Sequence, residues 1–197
     1  MKVSKQKRAE HREQIITAAA KRFRENGFDG IGVADLMKEV GLTHGAFYGH
    51  FGSKEELISL ASQRALQETA KKWEKVMEEA PDKPLEAFAK FYLSKRHQMH
   101  PETGCLLASV GSELDRQPRA VKDAVMKEQL NIFDMLSRVM PGKTKVAKKK
   151  QAIVVLAGLI GAMILARSIP DAALSEEILD TVSSAVPTMG IGLISLL

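Results

Sequence analysis

The chain has 197 residues, of which 45% are hydrophobic and 27% are charged, a globular balance that argues against disorder or a fibrous repeat. Aromatic residues make up 5%, which is few for an all-β sandwich, whereas helix-forming residues are plentiful. The net charge is +5, with +8 on residues 1–150 and −3 on residues 151–197. We therefore expect any polyanionic partner to contact the earlier part of the chain.

The cysteine content and the apolar runs bear on the compartment. Cys105 is the single cysteine, which excludes an internal disulfide and a four-cysteine zinc site and favours a reducing, cytoplasmic setting. The first residues lack the apolar core of a secretory signal. The longest apolar run, residues 152–166, is shorter than the roughly eighteen residues of a membrane span and contains Gly158 and Gly161. We expect a buried helix there and no membrane partner.

Apolar periodicity predicts helices along almost the whole chain and no strand. Gly27 and Gly41 are stop signals, and Glu56 lies three residues after an N-cap serine, as in a capping box. The first predicted helix ends at Asn26, and the second covers 33–40. The third begins at Thr43, and the fourth begins at Ser53. The remaining predicted helices cover 85–100, 105–114, 118–140, 152–168 and 175–188. The expected architecture is all-α, with one domain over residues 1–52 and a second over residues 53–197.

The segment over residues 33–51 carries the most information. Two short helical stretches are separated by three residues that include Gly41, which is the spacing of a helix-turn-helix. Thr43 is expected to cap the second helix. The exposed face of that second helix is predicted to carry His44, Gly45 and Tyr48, and its buried face Phe47 and Phe51.

Residues 43–57, which read THGAFYGHFGSKEEL, resemble the signature of the TetR family of bacterial transcriptional regulators. The resemblance covers about residues 12–60, and many positions agree in register. It implies an all-helical homodimer with an N-terminal helix-turn-helix domain that binds operator DNA. It also implies a C-terminal domain that dimerises and binds a small molecule, which releases the DNA. We expect a repressor without enzymatic activity, cofactor or metal.

The same resemblance assigns contacts to operator DNA, which should be double-stranded and palindromic or pseudo-palindromic to suit a dimer. His44 and Gly45 would approach base edges in the major groove, where a glycine lets the backbone come close to a base. The side chains that would touch phosphates are those of Thr43, Tyr48, His50 and Lys54. Two recognition helices would lie about 34 Å apart, and an effector would favour a conformation with another spacing.

Two departures from the family pattern affect the second and third helices. Gly32 stands where the family has a hydroxyl residue, so that cap lacks a hydroxyl for a phosphate. Gly49 lowers helix propensity late in the recognition helix, which could end there. A basic arm precedes the first helix and is either an additional DNA contact or a frayed, solubilising terminus. The arm consists of Lys2, Lys5, Lys7, Arg8 and Arg12.

The C-terminal half is less informative, because apolar residues at helical spacing fit several roles. The helix over 152–168 is apolar nearly all round, so it is either a dimer interface together with the last helix or a fully enclosed core helix. The predicted interface residues are Ile153, Leu156, Gly158, Ile160, Gly161, Ile178 and Val182. The residues that are candidates for effector contact have a second interpretation, as ordinary residues of the hydrophobic core. The candidate effector contacts are Phe88, Tyr92, Met99, Met126, Phe133 and Met163. Met126, Leu130, Phe133 and Met140 are expected on one side of the helix over 118–140.

Cys105 raises an alternative, because His97 and His100 lie close to it in sequence. The three could form a metal site or a redox sensor in which histidines lower the pKa of the thiol. The segment over residues 103–107 also resembles a Gly-Cys-aliphatic turn of the family, which is commonly structural. An enzyme that uses Cys105 with a histidine is disfavoured, because no oxyanion donor or acidic partner accompanies them.

Overall fold

The computed structural model describes residues 4–192, including the side chains of residues 4–188. This part of the chain contains helices and no strand, as the periodicity predicts. The α-helices are α1 (Lys5–Asn26), α2 (Val33–Glu39), α3 (Lys54–Glu78), α4 (Pro84–Tyr92), α5 (Lys95–Met99), α6 (Leu106–Val110), α7 (Arg119–Ser137), α8 (Lys145–Ser168) and α9 (Ala172–Gly192). The short 3-10 helices are His44–Gly49, Pro101–Thr103 and Gly111–Arg116.

The helices group into two compact units that differ from the predicted division of the chain. One unit holds the described residues up to Glu68 together with Glu102–Glu128, and the other holds Thr69–Pro101 together with the described residues from Gln129 onward. The predicted domain boundary between residues 52 and 53 separates two functions, and it stays a prediction. The first unit, which is defined by packing, contains the helix-turn-helix together with the start of α3 and with α6.

In the first unit, α1 is the central helix, and its apolar stripe is buried as predicted. The stripe consists of Ile15, Ile16, Ala19, Ala20 and Phe23. Gly27 ends α1 with a φ of 81°, a left-handed conformation that glycine adopts at little cost. A Cβ atom at Gly27 would lie 2.7 Å from the Glu113 carboxylate, which accepts a 2.8 Å hydrogen bond from the Phe28 N–H. The end of α1 is thereby fixed to the segment around residue 113.

Arg24 makes a second link between α1 and the segment that precedes α6. Its guanidinium is buried and donates hydrogen bonds to the carbonyl oxygens of Ala20 at 2.8 Å and Gly104 at 3.1 Å. Burial lowers the pKa of Arg24, although Glu68, Cys105 and Glu102 oppose that shift. Because the Arg24 guanidinium is buried, loss of a carbonyl partner would leave a buried charge without compensation. The junction between α1 and the segment before α6 therefore depends on these hydrogen bonds.

The second unit is built on aromatic packing and on the pairing of α8 with α9. Trp73, Phe88 and Tyr92 form a cluster, with ring centroids 5.2 to 5.9 Å apart. Such tilted and edge-on ring pairs are the favoured geometries between aromatic side chains. α9 packs against both α8 and α4. Two candidate effector contacts, Phe88 and Tyr92, therefore belong to the packed aromatic core of this unit.

Two of the predicted helices are interrupted. The one expected over residues 85–100 is divided into α4 and α5, because Ser94 caps a new helix by accepting a 3.3 Å hydrogen bond from the His97 N–H. The one expected over residues 105–114 is divided at Gly111 into α6 and a 3-10 helix. The first break is set by a local polar cap, whereas the second falls at a glycine without a side-chain cap.

The apolar side predicted for α7 is the more exposed of its two apolar stripes. Met126 and Leu130 are 49% and 42% exposed, and Phe133 is half-buried. α7 carries a second apolar stripe, largely of β-branched residues, and that stripe is the buried one. It consists of Val121, Val125, Ile132 and Leu136. Both stripes have helical spacing, so periodicity could not choose between them. Met140 is buried but lies beyond the end of α7.

α8 is longer than the apolar run from which it was predicted. Thr144 caps it by accepting a 3.1 Å hydrogen bond from the Ala147 N–H. An 18-residue window of this helix has a mean hydropathy of 1.8, which by length and composition would allow it to cross a membrane. Core helices of soluble proteins pass the same test, and 44% of that window is buried in the protein. Its buried side consists of Gln151, Ala152, Val155, Leu156, Leu159, Ala162, Met163 and Ala166.

Candidate nucleic-acid interface

The turn between α2 and the recognition helix His44–Gly49 is fixed by Gly41. Its φ is 73°, and its N–H donates to the Lys38 carbonyl at 3.0 Å. The Leu42 N–H donates to the Met37 carbonyl at 2.9 Å. This pair of hydrogen bonds is the Schellman arrangement, which satisfies the last carbonyls of a helix and turns the chain sharply. The predicted role of Gly41 is confirmed.

The recognition helix is a 3-10 helix of six residues that ends at Gly49, where the sequence predicts a break. Phe47 and Phe51 are buried, whereas Thr43, His44, Gly45 and Tyr48 are exposed, so the predicted faces are confirmed. Tyr48 is 67% exposed, which is unusual for a large aromatic ring. The outer face therefore presents polar groups and an accessible phenol.

Thr43 and Gly45 define the start of this face. Thr43 occupies the N-cap position with an extended backbone, but its hydroxyl accepts no capping hydrogen bond, contrary to the expectation. The hydroxyl is thus available to an external acceptor or donor. A Cβ atom built on Gly45 would meet nothing within 4 Å. A flat ligand could approach the backbone closely at this position.

His50 is placed differently from the other predicted contacts. It is half-buried, and its Nδ1 atom is buried without a hydrogen-bond partner. Its ring lies edge-on to that of His11, with centroids 6.2 Å apart. Burial lowers the pKa of His50, and the nearby Arg8, His11 and Arg12 lower it further. The lowered pKa favours the neutral imidazole, and the ring lies against His11 of α1.

Lys54 opens α3, directly after the recognition helix. Its Nζ atom lies 3.6 Å from Asp29 Oδ1, and the lysine side chain is half-buried while the aspartate is exposed. The predicted capping box is present, since Ser53 Oγ accepts from the Glu56 N–H at 3.2 Å. Its second hydrogen bond runs to Glu56 Oε2 from the Gly52 N–H at 2.7 Å, rather than from Ser53. Asp29 was missed by the sequence analysis, because the pairing joins the loop after α1 to the start of α3, 25 positions further on.

From Lys5 onward, the basic arm is part of α1 rather than a separate extension. Arg8 donates a hydrogen bond to the Gly49 carbonyl, and Arg12 lies 4.9 Å above the centre of the Phe51 ring. Arg12 also donates to Glu56 Oε1 at 3.2 Å. Lys5 and Lys7 are exposed. Lys2 lies outside the described residues.

The candidate effector contacts lie in different environments. Phe88, Tyr92 and Met163 are fully buried in the second unit, where Phe133 is half-buried. Met126 lies in the first unit and is exposed. Met99 lines a cavity of about 430 Å³ between α5, the end of α8 and the start of α9. Gln98 also lines this cavity, and its side-chain amide donates hydrogen bonds to Ser175 Oγ at 2.6 Å and to the Ala166 carbonyl oxygen at 3.2 Å.

The candidate dimer residues occupy both sides of α8 and α9. Leu156 is buried within its own chain, whereas Ile153 is exposed. The other five predicted residues, Gly158, Ile160, Gly161, Ile178 and Val182, are half-buried. Five large apolar residues on α8 are exposed, namely Val146 near its start and Ile153, Val154, Ile164 and Leu165 further along.

Cys105 is fully buried at the cap of α6, next to the Gly104 carbonyl that holds Arg24. His97 lies in the second unit, where its Nδ1 atom is 2.6 Å from the Tyr92 carbonyl oxygen. Among the described residues, no group of three His, Cys, Asp or Glu side chains is arranged to hold a metal ion.

Comparison with known proteins places the helix-turn-helix in a defined family. Residues 15–61 match the family described as "Bacterial regulatory proteins, tetR family". The HTH-type transcriptional repressor DhaR of Mycobacterium sp. (strain GP1) is 24% identical over 62% of this chain and 60% of its own length. The HTH-type transcriptional regulator TtgR of Pseudomonas putida is 40% identical over 28% of this chain and 26% of its own. The chain thus spans less than two thirds of these curated relatives.

Solved structures match over almost the whole chain and show the fold. A TetR-family regulator from Cytophaga hutchinsonii has a TM-score of 0.76 at 21% identity, over 95% of this chain and 98% of its own. The reduced form of E. coli NemR has a TM-score of 0.75 at 20% identity, over 90% and 95%. The helical C-terminal half therefore follows an architecture already known from regulators with a helix-turn-helix.

Proposed function

Since the chain belongs to the TetR family of bacterial regulatory proteins, we propose that it is a transcriptional regulator that represses transcription by binding operator DNA as a dimer. A small-molecule effector releases the DNA. The protein works in the cytoplasm as a regulator and not as an enzyme.

One observation carries the DNA-binding proposal. Of three aromatic rings within five residues, Phe47 and Phe51 are buried, while Tyr48 is 67% exposed beside His44 and Gly45. The exposed Tyr48 presents its phenol hydroxyl outward, and a phenol hydroxyl bonds phosphate oxygens well. The open space over Gly45 allows the backbone to approach base edges in the major groove.

Lys54 supplies the cation of the proposed phosphate contacts. It follows the recognition helix directly, and its present partner, Asp29, is an exposed carboxylate 3.6 Å away. An exposed ion pair of this kind contributes little, so a phosphate can replace the carboxylate. Thr43 offers a hydroxyl that its own helix does not use. His50 contributes less directly, because its ring is turned toward α1.

The exposed apolar face of α8 supports the proposed dimer. Ile153 and Ile164, like Val154 and Leu165, are eleven residues apart, which is about three helical turns, so each pair lies on one face. Together they leave apolar surface uncovered on the side of α8 that faces away from its buried residues. A second copy of the chain would cover that face by a two-fold interface and would present two recognition helices to a palindromic site.

Effector release is the proposed regulation. The cavity beside Met99, at about 430 Å³, has the size of a small-molecule site, and the second unit holds five of the six candidate effector contacts. A molecule that binds one protomer conformation more tightly shifts the population toward it. If that conformation spaces the recognition helices wrongly, the affinity for the operator falls.

The DNA-binding experiment is a gel shift with the intergenic DNA upstream of the protein's own gene. We expect a shift that weakens steeply with salt, because phosphate contacts release counterions. Tyr48→Ala and Lys54→Ala should abolish it. Phe91→Ala and Lys75→Ala are matched controls, since they remove an exposed aromatic ring and an exposed lysine from the second unit. Full binding by both test variants would reject the proposed interface.

A second candidate function is redox sensing through Cys105. Its neighbour Gly104 accepts the hydrogen bond of the buried Arg24, so a modified thiol would disturb the junction between α1 and α6. Because the thiol is fully buried, oxidation requires α6 to open first. A gel shift lost with peroxide in the wild type, but retained in Cys105→Ala, would support this alternative. An identical gel shift with and without peroxide would reject it, and a chelator tests the metal variant in the same way.

A further inference from the structure

The recognition helix is too short to hold its own conformation. It has six residues in 3-10 geometry, and two of them, Gly45 and Gly49, favour unfolded conformations. Isolated helices of this length are unstable in water, so tertiary contacts must support it. Phe47 anchors the middle of the helix in the core. Its C-terminal end, at the Gly49 carbonyl, needs a separate support.

α1 supplies that support from its first two turns. Ser4 caps α1 by accepting a 3.1 Å hydrogen bond from the Lys7 N–H, which orders the turn that carries Arg8. The Arg8 guanidinium donates a hydrogen bond to the Gly49 carbonyl. A cation fits this position, because the last carbonyls of a helix carry partial negative charge and lack partners within it.

Two neighbours on the same face of α1 extend the contact. His11 and Arg12 lie three and four residues after Arg8, so all three side chains share one side of the helix. The His11 ring stands 6.2 Å from the His50 ring, and Arg12 lies 4.9 Å above the centre of the Phe51 ring. One stripe of α1 therefore lies along residues 49–51, where the recognition helix ends.

We infer that Arg8 is a positioning residue for operator recognition, which acts by holding the end of the recognition helix through the Gly49 carbonyl. The inference rests on the proposed DNA-binding function and departs from the expectation for the basic arm, which was phosphate contact or a frayed terminus. An arginine that holds the helix increases the population that presents Tyr48 and His44 correctly. It thereby raises affinity for one sequence more than affinity for DNA in general.

Salt dependence separates a positioning residue from a phosphate contact. The logarithm of the binding constant falls with the logarithm of salt concentration, with a slope of about 0.9 for each phosphate contact on duplex DNA. A lost phosphate contact therefore reduces the slope and weakens binding to every sequence alike. A lost positioning contact leaves the slope unchanged and lowers the ratio of specific to nonspecific affinity.

The experiment compares Arg8→Ala, Arg8→Lys and Lys7→Ala in the full-length protein. The probes are a duplex that the wild type selects from a random pool and a scrambled duplex of the same length, at several salt concentrations. For Arg8→Ala we expect about a five- to tenfold loss of affinity for the selected duplex, less than twofold for the scrambled one, and an unchanged slope. Arg8→Lys, which keeps the charge and one donor, should restore part of the specific affinity. Lys7→Ala should not lower the affinity ratio.

Two results would overturn the inference. One is an equal loss for both duplexes in Arg8→Ala together with a smaller salt slope, which would make Arg8 a phosphate contact. The other is an unchanged affinity ratio in Arg8→Ala. If Arg8→Ala has a lowered melting temperature, the affinity ratio and the salt slope of Arg8→Lys are compared with those of the wild type instead. The same two results would then overturn the inference.

A measurement without DNA separates this inference from the proposed function. The N–H groups of Ala46, His50 and Phe51 donate to Thr43 or Phe47 carbonyls at 2.8 to 3.0 Å. In the free protein, their hydrogen exchange should be at least about three times faster in Arg8→Ala than in the wild type or Lys7→Ala. Faster exchange with no duplex selected by the wild type would reject the DNA-binding proposal alone. Unchanged exchange in Arg8→Ala, with a duplex selected, would reject the role of Arg8 alone.

Discussion

The recognition segment over residues 43–51 and the long helix α8 hold apolar side chains in opposite ways. In the recognition segment, two phenylalanines are buried and the intervening tyrosine is exposed, so each position has a distinct environment. In α8, buried apolar residues alternate with equally apolar exposed ones such as Ile164 and Leu165. In the short motif, the residue types alone predict which face is exposed. In a uniformly apolar helix they do not, and only the packing of the helix shows which side is left for a partner.

Ile164→Asp tests the uncovered side of α8 and should have the largest effect. Ile164 is 46% exposed, and a carboxylate there would be buried against the second copy in a dimer, once from each protomer. We expect the dissociation constant of the dimer to rise about 1,000-fold or more, which corresponds to about 4 kcal/mol. Analytical ultracentrifugation measures it.

Met126→Asp is the matched control for that substitution, because Met126 is exposed to a similar degree but lies on α7 in the first unit. It should leave the dimer intact. A wild type that sediments as a monomer at micromolar concentration, or an unchanged dimer in Ile164→Asp, would refute the proposed interface.

Phe47→Ala tests the buried side of the recognition segment. Phe47 is fully buried, so its truncation should lower the free energy of unfolding by about 3–4 kcal/mol. Tyr48→Ala removes an adjacent ring that is exposed and should change stability by less than about 0.5 kcal/mol. Urea denaturation followed by circular dichroism measures both. Equal losses of stability in the two variants would contradict the assigned faces.

The sequence predicted the helix-turn-helix closely because its determinants are local. Gly41 and Leu42 end α2 through hydrogen bonds to residues three and five positions earlier, and Ser53 caps α3 through a residue three positions later. The alternation of Phe47 and Tyr48 is likewise set within one helical turn. Interactions of such short range depend on nearby residue types, which the sequence states directly.

The remaining features depend on contacts between distant residues, which local patterns do not specify. Arg8 and Gly49 are 41 positions apart, and Phe28 and Glu113 are 85 apart. α7 has two stripes of helical spacing, and only its neighbours decide that Val125 rather than Met126 is buried. Cavity shape has the same origin, which is why only Met99 of the candidate effector contacts lines the described cavity.

Gly41→Ala and Gly45→Ala should have opposite effects on stability. At Gly41 the φ of 73° penalises a side chain, so alanine should cost about 1–2 kcal/mol of unfolding free energy. Gly45 has open space around its Cβ position, and alanine there should stabilise the helix by about 0.5–1 kcal/mol. The same substitution should weaken operator binding, because the methyl group would separate the backbone from the bases. Thermal unfolding and gel shifts measure the two quantities, and tighter operator binding by Gly45→Ala would contradict the assigned base contact.

Asp29→Asn tests the electrostatics of the recognition side. It removes an exposed carboxylate 3.6 Å from the Lys54 amine, so Lys54 becomes available to a phosphate. Since exposed ion pairs contribute about 1 kcal/mol at most, we expect roughly a two- to fivefold gain in affinity for any duplex. Asp82→Asn, in the second unit, is the control. Weaker binding by Asp29→Asn would mean that Asp29 positions Lys54.

The smallest expected effect is the titration of His50, which links the recognition segment to α1. Burial is the main cause that lowers its pKa, and the cations of Arg8 and Arg12 and the ring of His11 add to it, while Glu56 is bound to Arg12 nearby. The nuclear magnetic resonance titration of His50 should therefore have its midpoint below the ordinary value of about 6.5. Between the two values the unfolded chain binds more protons than the folded one, so the stability of the first unit should fall as the pH drops below about 6.5. Arg8→Ala should move the midpoint upward and Lys7→Ala should not, because Arg8, unlike Lys7, is among the groups that lower the pKa of His50. A midpoint insensitive to Arg8→Ala would show that Arg8 does not act on His50.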